Sequence, residues 1–135
     1  MKLLILLTLL VLGTIICNAQ VMKFKAVQFI CTRYQNQTLE PPEFKDLKDM
    51  PVEFNMDSSI FYIHSPTIQV FRLDTKPIGG SEVDSVMTYI FNGVDNKGRK
   101  CILTHSIYES ESALYFAKII LEYPDKTYLY YLQKE

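Results

Sequence analysis

The sequence predicts an all-β protein, and three features of its 135 residues support that prediction. Apolar side chains recur at every second position through most of the chain, which is the period of a strand rather than a helix. Turn-forming residues separate these segments at short intervals. Apolar residues make up 48% of the chain, which is enough for a packed core. We therefore expect about eight antiparallel strands connected as a meander.

A meander of this length has two ways to cover its apolar face. It can close as a small up-and-down barrel, lipocalin-like in outline, which removes the exposed edge strands. It can instead fold into a two-sheet β-sandwich. We favour the barrel, keep the sandwich as the alternative, and predict a single β domain over residues 20–135.

The first strand is predicted over Val21–Thr32. Alternation puts Phe24 and Ala26 on one face of this strand and Phe29 and Cys31 on the other.

Residues 33–50 interrupt the alternation and contain Pro41-Pro42. Such a long irregular segment is uncommon in a compact domain. We expect a lid, a mobile flap, or a short helical turn near Phe44–Met50.

The remaining strands are predicted from alternation between turns. They are Val52–Met56, Ile60–His64, Thr67–Leu73, Ser85–Val94, Arg99–Tyr108, Ser112–Tyr123 and Thr127–Leu132. Residues 75–82 contain Pro77 and Gly79-Gly80 and are predicted as a second loop. Asp95-Asn96-Lys97-Gly98 is the clearest turn, because Asp begins a type I turn and Gly accepts the left-handed conformation that follows it.

The first 19 residues have the pattern of a signal peptide. Lys2 precedes an apolar run over Leu3–Ile16, which is too short for a membrane-spanning helix. Cys17-Asn18-Ala19 fits cleavage after Ala19, whereas the bulky Ile16 disfavours lipidation at Cys17. We expect an exported protein, periplasmic or extracellular, without a membrane anchor after cleavage.

Two cysteines remain after that cleavage, Cys31 and Cys101. An even count in an exported chain suggests a disulfide bridge. Two buried thiols that pack as small apolar side chains are the alternative. A bridge requires that the two strands be neighbours and that both side chains face the same way.

Two segments, Gly93–Leu103 and Leu121–Tyr131, carry a resemblance. They resemble the C-terminal half of a group of small exported β-rich proteins of Gram-negative bacteria. Members share a D-N-x-G-x-x-C hairpin and an aromatic last strand after a Y-x-D turn, and often carry Trp where this chain has Phe91. The leader end Asn18-Ala19-Gln20 and the opening Phe24-Lys25-Ala26 also fit. The group has no established activity, so the resemblance implies no site residues.

Residue types typical of catalysis are sparse. His64 and His105 lack the spacing of metal ligands, and the sequence contains no nucleophile motif. Cys101 and His105 share a strand face, but four residues separate them by about 13 Å. The net charge of −1 gives no basic face for nucleic acid. We therefore expect no enzyme activity, no cofactor, no metal site and no nucleic-acid partner.

Tyrosines near the C-terminus are the remaining candidate surface. Tyr108, Tyr115, Tyr128 and Tyr130 offer large contact areas with polar tips, which suits a wall that faces a ligand or partner. Cross-strand aromatic pairing would account for the same residues without any ligand.

Two functions of different classes follow from these observations. The first is an exported, non-catalytic module that binds a small apolar ligand or a peptide at the barrel mouth, under the segment 33–50. The second is an envelope protein that binds another protein or serves a structural role through its outer face or an edge strand. An enzyme is the third and least supported class.

Overall fold

The computed structural model describes residues 21–36, 38–74, 76–108 and 115–135. The predicted signal peptide, residues 1–19, lies outside them, as does the start of the strand predicted from Ser112. The described residues form these strands: β1 (Val21–Gln35), β2 (Thr38–Leu39), β3 (Glu43–Asn55), β4 (Ile60–Ile63), β5 (Gln69–Leu73), β6 (Gly79–Val83), β7 (Val86–Asp95), β8 (Lys100–Tyr108), β9 (Ala117–Glu122) and β10 (Lys126–Lys134).

Eight of these strands close into an antiparallel barrel. Their order around the barrel is β1-β3-β4-β5-β7-β8-β9-β10, and pairing of β10 with β1 completes the circle. Two extra strands extend the sheet, since β2 pairs with β1 and β6 pairs with β7. The all-β prediction and the barrel are confirmed, and the sandwich is not formed.

The barrel interior is filled by buried apolar side chains from seven of the eight barrel strands, and β7 contributes the partly buried Phe91. Its buried members include Phe24, Ala26, Val52, Phe54, Phe61, Ile63, Phe71, Leu73, Leu103, Ala117, Ile119, Leu121 and Leu132. Removal of this apolar surface from water is the main favourable contribution to folding. A barrel of eight strands is just wide enough for its own side chains to fill it.

A β-bulge in β1 changes which side chains face the core. The register of β1 against both β3 and β10 shifts between Ala26 and Gln28. Phe24 and Ala26 are buried before the bulge, Cys31 is buried after it, and Phe29 packs against the core. The prediction that these two sets lie on opposite faces is therefore wrong, because the bulge resets the alternation.

Most of the segment 33–50 is strand, so the predicted lid, flap or helical turn is wrong. β1 continues to Gln35, and β3 begins at Glu43. The first half of β3 pairs with β1 alone, because β4 joins it only from Val52 onward. This exposed half carries charged side chains such as Lys45 and Asp46, which discourage edge-to-edge pairing with other chains. Because this exposed half carries so many charged residues, its sequence lacks the apolar–polar alternation that predicts a strand.

The second predicted loop also contains a strand. Within residues 75–82, Gly79 begins β6, which forms a hairpin with β7. The turn of this hairpin is Asp84-Ser85, and both residues have positive φ angles, of 50° and 64°. Two left-handed residues match the twist of a tight hairpin, but this turn usually contains Asn-Gly or Asp-Gly. Because this turn contains no glycine, the sequence pattern does not predict it.

The turn predicted at Asp95–Gly98 is confirmed in detail. Gly98 has a φ angle of 77°, in the left-handed region. Its N–H donates to the Asp95 carbonyl oxygen at 3.0 Å, and the Asp95 N–H donates to the Arg99 carbonyl oxygen at 3.0 Å. This is the type I turn with a following left-handed residue that three-residue hairpin loops adopt.

The disulfide that the sequence allows between Cys31 and Cys101 is not formed. Both cysteines are free and buried. Cys31 lies in β1 and Cys101 in β8, and strands β9 and β10 separate them in the sheet. Three strand spacings of about 4.8 Å exceed the Cα separation of about 4.4–6.8 Å that a disulfide requires. The alternative, two buried thiols, describes the structure, and burial raises the pKa of the Cys101 thiol.

One histidine lies inside the barrel. His105 is only 2% exposed, and its ring meets the edges of Phe24 at 5.8 Å and Phe54 at 6.0 Å between centroids. Its Nε2 atom has no hydrogen-bond partner among the described residues. Burial disfavours the charged imidazolium and lowers the pKa of His105 from 6.5 to about 4. The neutral ring is therefore the form that the core accepts.

We predict that acid destabilises the protein through His105. The unfolded chain binds a proton near pH 6.5 and the folded chain only near pH 4. Stability is therefore retained above pH 6.5 and falls between pH 6.5 and 4, by about 3 kcal/mol at the lower limit. His105→Leu should flatten the free energy of unfolding between pH 6.5 and 5, measured by urea denaturation. His64→Gln, which replaces a half-buried histidine outside the barrel core, should leave the decline intact; an equal slope in all three proteins would contradict the prediction.

Candidate functional site

The candidate site is the end of the barrel at which three connections meet, which we call the mouth. These are the connection between β4 and β5, the turn between β7 and β8, and the turn between β9 and β10. They surround an open cavity of about 460 Å³. The residues that line it are Ser65, Pro66, Thr67, Gln69, Asp95, Asn96, Lys97, Arg99, Tyr123, Lys126 and Tyr128.

Asp95 is the centre of a hydrogen-bond network at the mouth. Its Oδ1 atom accepts from the backbone N–H groups of Lys97 and Arg99, each at 2.9 Å. Its Oδ2 atom accepts from Arg99 Nε and from the Tyr123 hydroxyl, again at 2.9 Å each. Burial of the carboxylate opposes ionisation, but these four hydrogen bonds outweigh it and lower the pKa of Asp95. The network joins the β7–β8 turn to the last residue before the β9–β10 turn.

Two cations lie over aromatic rings at the rim of the mouth. Arg99 Cζ is 5.0 Å from the centroid of the Tyr123 ring. Lys126 Nζ is 5.6 Å from the Tyr123 centroid and 5.2 Å from that of Tyr128. These distances are within the range of cation–π attraction, which holds both side chains at the mouth.

An aromatic cluster forms the floor of the mouth. The Phe29 ring lies 5.5 Å from Tyr128 and 4.9 Å from Tyr130, and Tyr123 meets Tyr128 edge-on at 6.0 Å. Burial raises the pKa of Tyr130 to about 12, although a hydrogen bond with Gln69 opposes the shift. The Tyr130 phenol is therefore a neutral hydrogen-bonding group at physiological pH.

The β4–β5 connection supplies a polar wall opposite the cations. The Ser65 hydroxyl donates to the Thr67 carbonyl oxygen, which closes a tight turn. Gln69 Nε2 donates to Ser65 Oγ at 3.2 Å. These bonds fix the wall and leave the Thr67 side chain exposed at the cavity.

The structure brings together only two of the four tyrosines predicted as a ligand or partner surface. Tyr128 lies in the mouth and Tyr130 lies beneath it. Tyr115 is on the outer face, where it stacks on Tyr131 at 4.5 Å and donates to Gln28 Oε1 at 3.3 Å. Tyr108 ends β8 at the opposite end of the barrel. Alternation correctly separates Tyr130 from Tyr131, but strand direction decides which end of the barrel a tyrosine reaches.

The charged residues of the mouth are not among the sites that the sequence predicts. The sequence indicates only a turn role for Asp95 and gives no site role to Arg99 or Lys126. Both segments of the resemblance include a residue of this network, because the first contains Asp95 and the second contains Tyr123. The hydrogen bond between those two residues spans 28 positions of sequence.

No group of three or more His, Cys, Asp or Glu residues in the described ranges is placed to hold a metal ion. No helix in the described part of the chain has the length and apolarity needed to cross a membrane.

Comparisons with known proteins give no relative. No protein-family model, no curated protein and no solved structure matches the chain. The function of the protein is therefore inferred from the geometry of the mouth and from the sequence.

We predict that the Tyr123 hydroxyl stabilises the mouth through Asp95. Tyr123→Phe removes a donor to a buried carboxylate and should lower the free energy of unfolding by about 2 kcal/mol. Tyr131→Phe removes an outer-face hydroxyl and should change it by no more than about 0.5 kcal/mol. Chemical denaturation at neutral pH measures both. Equal effects of the two substitutions would show that the hydrogen bond contributes nothing.

Proposed function

We propose that the protein is an exported, non-catalytic binding module that takes a small ligand in the mouth of the barrel. The observation that supports this proposal is the 460 Å³ cavity at the mouth, lined by side chains that hydrogen bonds and ring contacts already hold in place. Small-ligand sites are typically concave, largely preformed and furnished with a few oriented polar groups.

The barrel interior is filled by its own side chains, which leaves the mouth as the proposed ligand position. Side chains such as Phe61, Ile63 and Leu132 occupy the centre of the barrel and are fully buried. We therefore propose a ligand position above the floor of Phe29, Tyr128 and Tyr130 rather than within the barrel. Most residues that line this position are polar, whereas the sequence suggested an apolar ligand or a peptide.

Native mass spectrometry of protein purified from its source organism tests this proposal. Thr67 lines the cavity, whereas its neighbour Ile68 is 52% exposed and does not line it. We expect a retained small molecule on the wild-type protein and on Ile68→Trp, and its loss from Thr67→Trp, where the indole fills the mouth. Wild-type protein that carries no ligand, and gains none from an extract of the same cells, would contradict the proposal. The same spectrum tests export, which requires a mature chain that begins at Gln20.

The outer surface favours a second candidate function, the binding of another protein. Ile30 lies opposite Phe44 on β3 and Leu129 on β10, and Leu129 lies opposite Ile120 on β9. These four side chains point away from the core in one row, which we call the outer band. Phe44 is 66% exposed at its end. The other three side chains are half-buried. An outward-facing apolar row that ends in an exposed aromatic ring is typical of an interaction surface.

Site-specific photo-crosslinking in the source cells tests the second candidate. A photoreactive residue at position 44, in the outer band, should capture one partner in stoichiometric yield. The same residue at position 39 should not, although Leu39 is 59% exposed, because it lies on β2 outside the band. Equal capture at both positions, or none at position 44, would count against a specific partner.

A further inference from the structure

We infer that the ligand of the mouth is a small organic anion, bound by Lys97, Arg99 and Lys126. This inference rests on the proposed function, since it names the chemical class of ligand for the same cavity. The anion is a different chemical class from the small apolar ligand that the sequence suggested.

The charge balance of the lining carries the inference. Three cationic side chains line the cavity, and Asp95 is the one carboxylate among the lining residues. Both oxygens of Asp95 are already engaged by four donors. Arg99 contacts Asp95 through Nε, and its side chain is 46% exposed, so its terminal nitrogens remain available at the rim. Lys97 and Lys126 form no ion pair within the described residues. The lining therefore has an excess of two positive charges and unused N–H donors.

The positions of the cations argue against an apolar or aromatic ligand. Lys126 lies over both Tyr123 and Tyr128, and Arg99 also lies over Tyr123. Cations therefore cover the rings that would otherwise offer a stacking surface. A ligand that enters the mouth meets charged donors first. Because the rings already restrain these donors, less side-chain entropy is lost when an anion binds.

The size of the cavity restricts the anion. A volume of about 460 Å³ is in the lower part of the range for small-molecule sites. The side chains of Thr67 and Asn96 also line it and can hydrogen-bond the uncharged part of a ligand. A compact carboxylate or phosphate compound fits this description, and the shared chemistry is an anionic group with a polar body.

The test compares anions with uncharged analogues of the same shape. Backbone amide NMR signals of the β7–β8 and β9–β10 turns are followed during titration at low ionic strength with succinate, with succinamide and with orthophosphate. A tetraglutamate peptide forms a fourth arm, which would reveal a preference for acidic peptides. Lys126→Gln removes one mouth cation. Lys134→Gln is the matched control, because Lys134 also lies over a ring, 4.5 Å from Phe116, but at the other end of the barrel.

We expect succinate or orthophosphate to shift the turn signals with at least about tenfold higher affinity than succinamide, the ratio that one charge-assisted hydrogen bond supplies. The arm that binds more tightly separates carboxylate from phosphate. Lys126→Gln should reduce that affinity about tenfold, and Lys134→Gln should leave it unchanged.

Three other outcomes overturn the inference. Equal binding of succinate and succinamide would reject the anion class while the proposed binding function survives. Binding of the tetraglutamate peptide alone would reject the small-molecule form of the inference. If no probe shifts the turn signals and the purified protein also carries no ligand, both the inference and the proposed function fail.

Discussion

The fold depends on the two-sided pairing of β1. This strand hydrogen-bonds to β3 along one edge and to β10 along the other, so the first and last described strands complete the circle. Closure removes the open edges that an eight-strand meander would otherwise expose. The bulge between Ala26 and Gln28 belongs to both ladders, and it directs Phe24 and Phe29 into the same core. Without that bulge, one half of β1 would present its apolar side chains to solvent.

The geometry of the mouth follows from that closure. Pairing of β1 with β10 sets Phe29 beside Tyr128 and Tyr130, which creates the aromatic floor. Pairing of β9 with β10 and of β8 with β9 then carries the β9–β10 turn to the β7–β8 turn, where Tyr123 reaches Asp95. The two motifs that carry the sequence resemblance are thus two halves of one buried hydrogen-bond network. A turn carboxylate acquires a tertiary role because the barrel returns a distant hydroxyl to it.

The sequence predicts the class of fold well because alternation survives wherever one strand face is buried. It predicts β7, β8 and β10 for this reason, and it predicts the Asp95–Gly98 turn from the conformational preferences of Asp and Gly. It fails where most side chains of a strand are exposed, as in the first half of β3, and where a turn such as Asp84-Ser85 adopts left-handed angles without glycine. It also fails at the bulge of β1, since a register shift leaves no mark in composition. The sequence predicts Tyr128 and Tyr130 as residues of a candidate surface. It does not predict that Arg99 and Lys126 lie over aromatic rings, because that placement depends on packing between turns.

The shortest seam of the barrel has its own consequence. Among the described residues, β5 pairs with β7 through Phe71, Arg72 and Leu73, and one further bond from the Asp74 N–H to the Asn92 carbonyl oxygen extends this ladder. By contrast, β1 and β10 pair along most of their lengths. The free energy of local opening varies across a protein and is lowest where the fewest ladder bonds must break. Local opening of this barrel should therefore begin at the β5–β7 seam, which lies beside the polar wall formed by Ser65 and Gln69. A ligand in the cavity would then have a second exit through the opened seam between β5 and β7, in addition to the route through the rim.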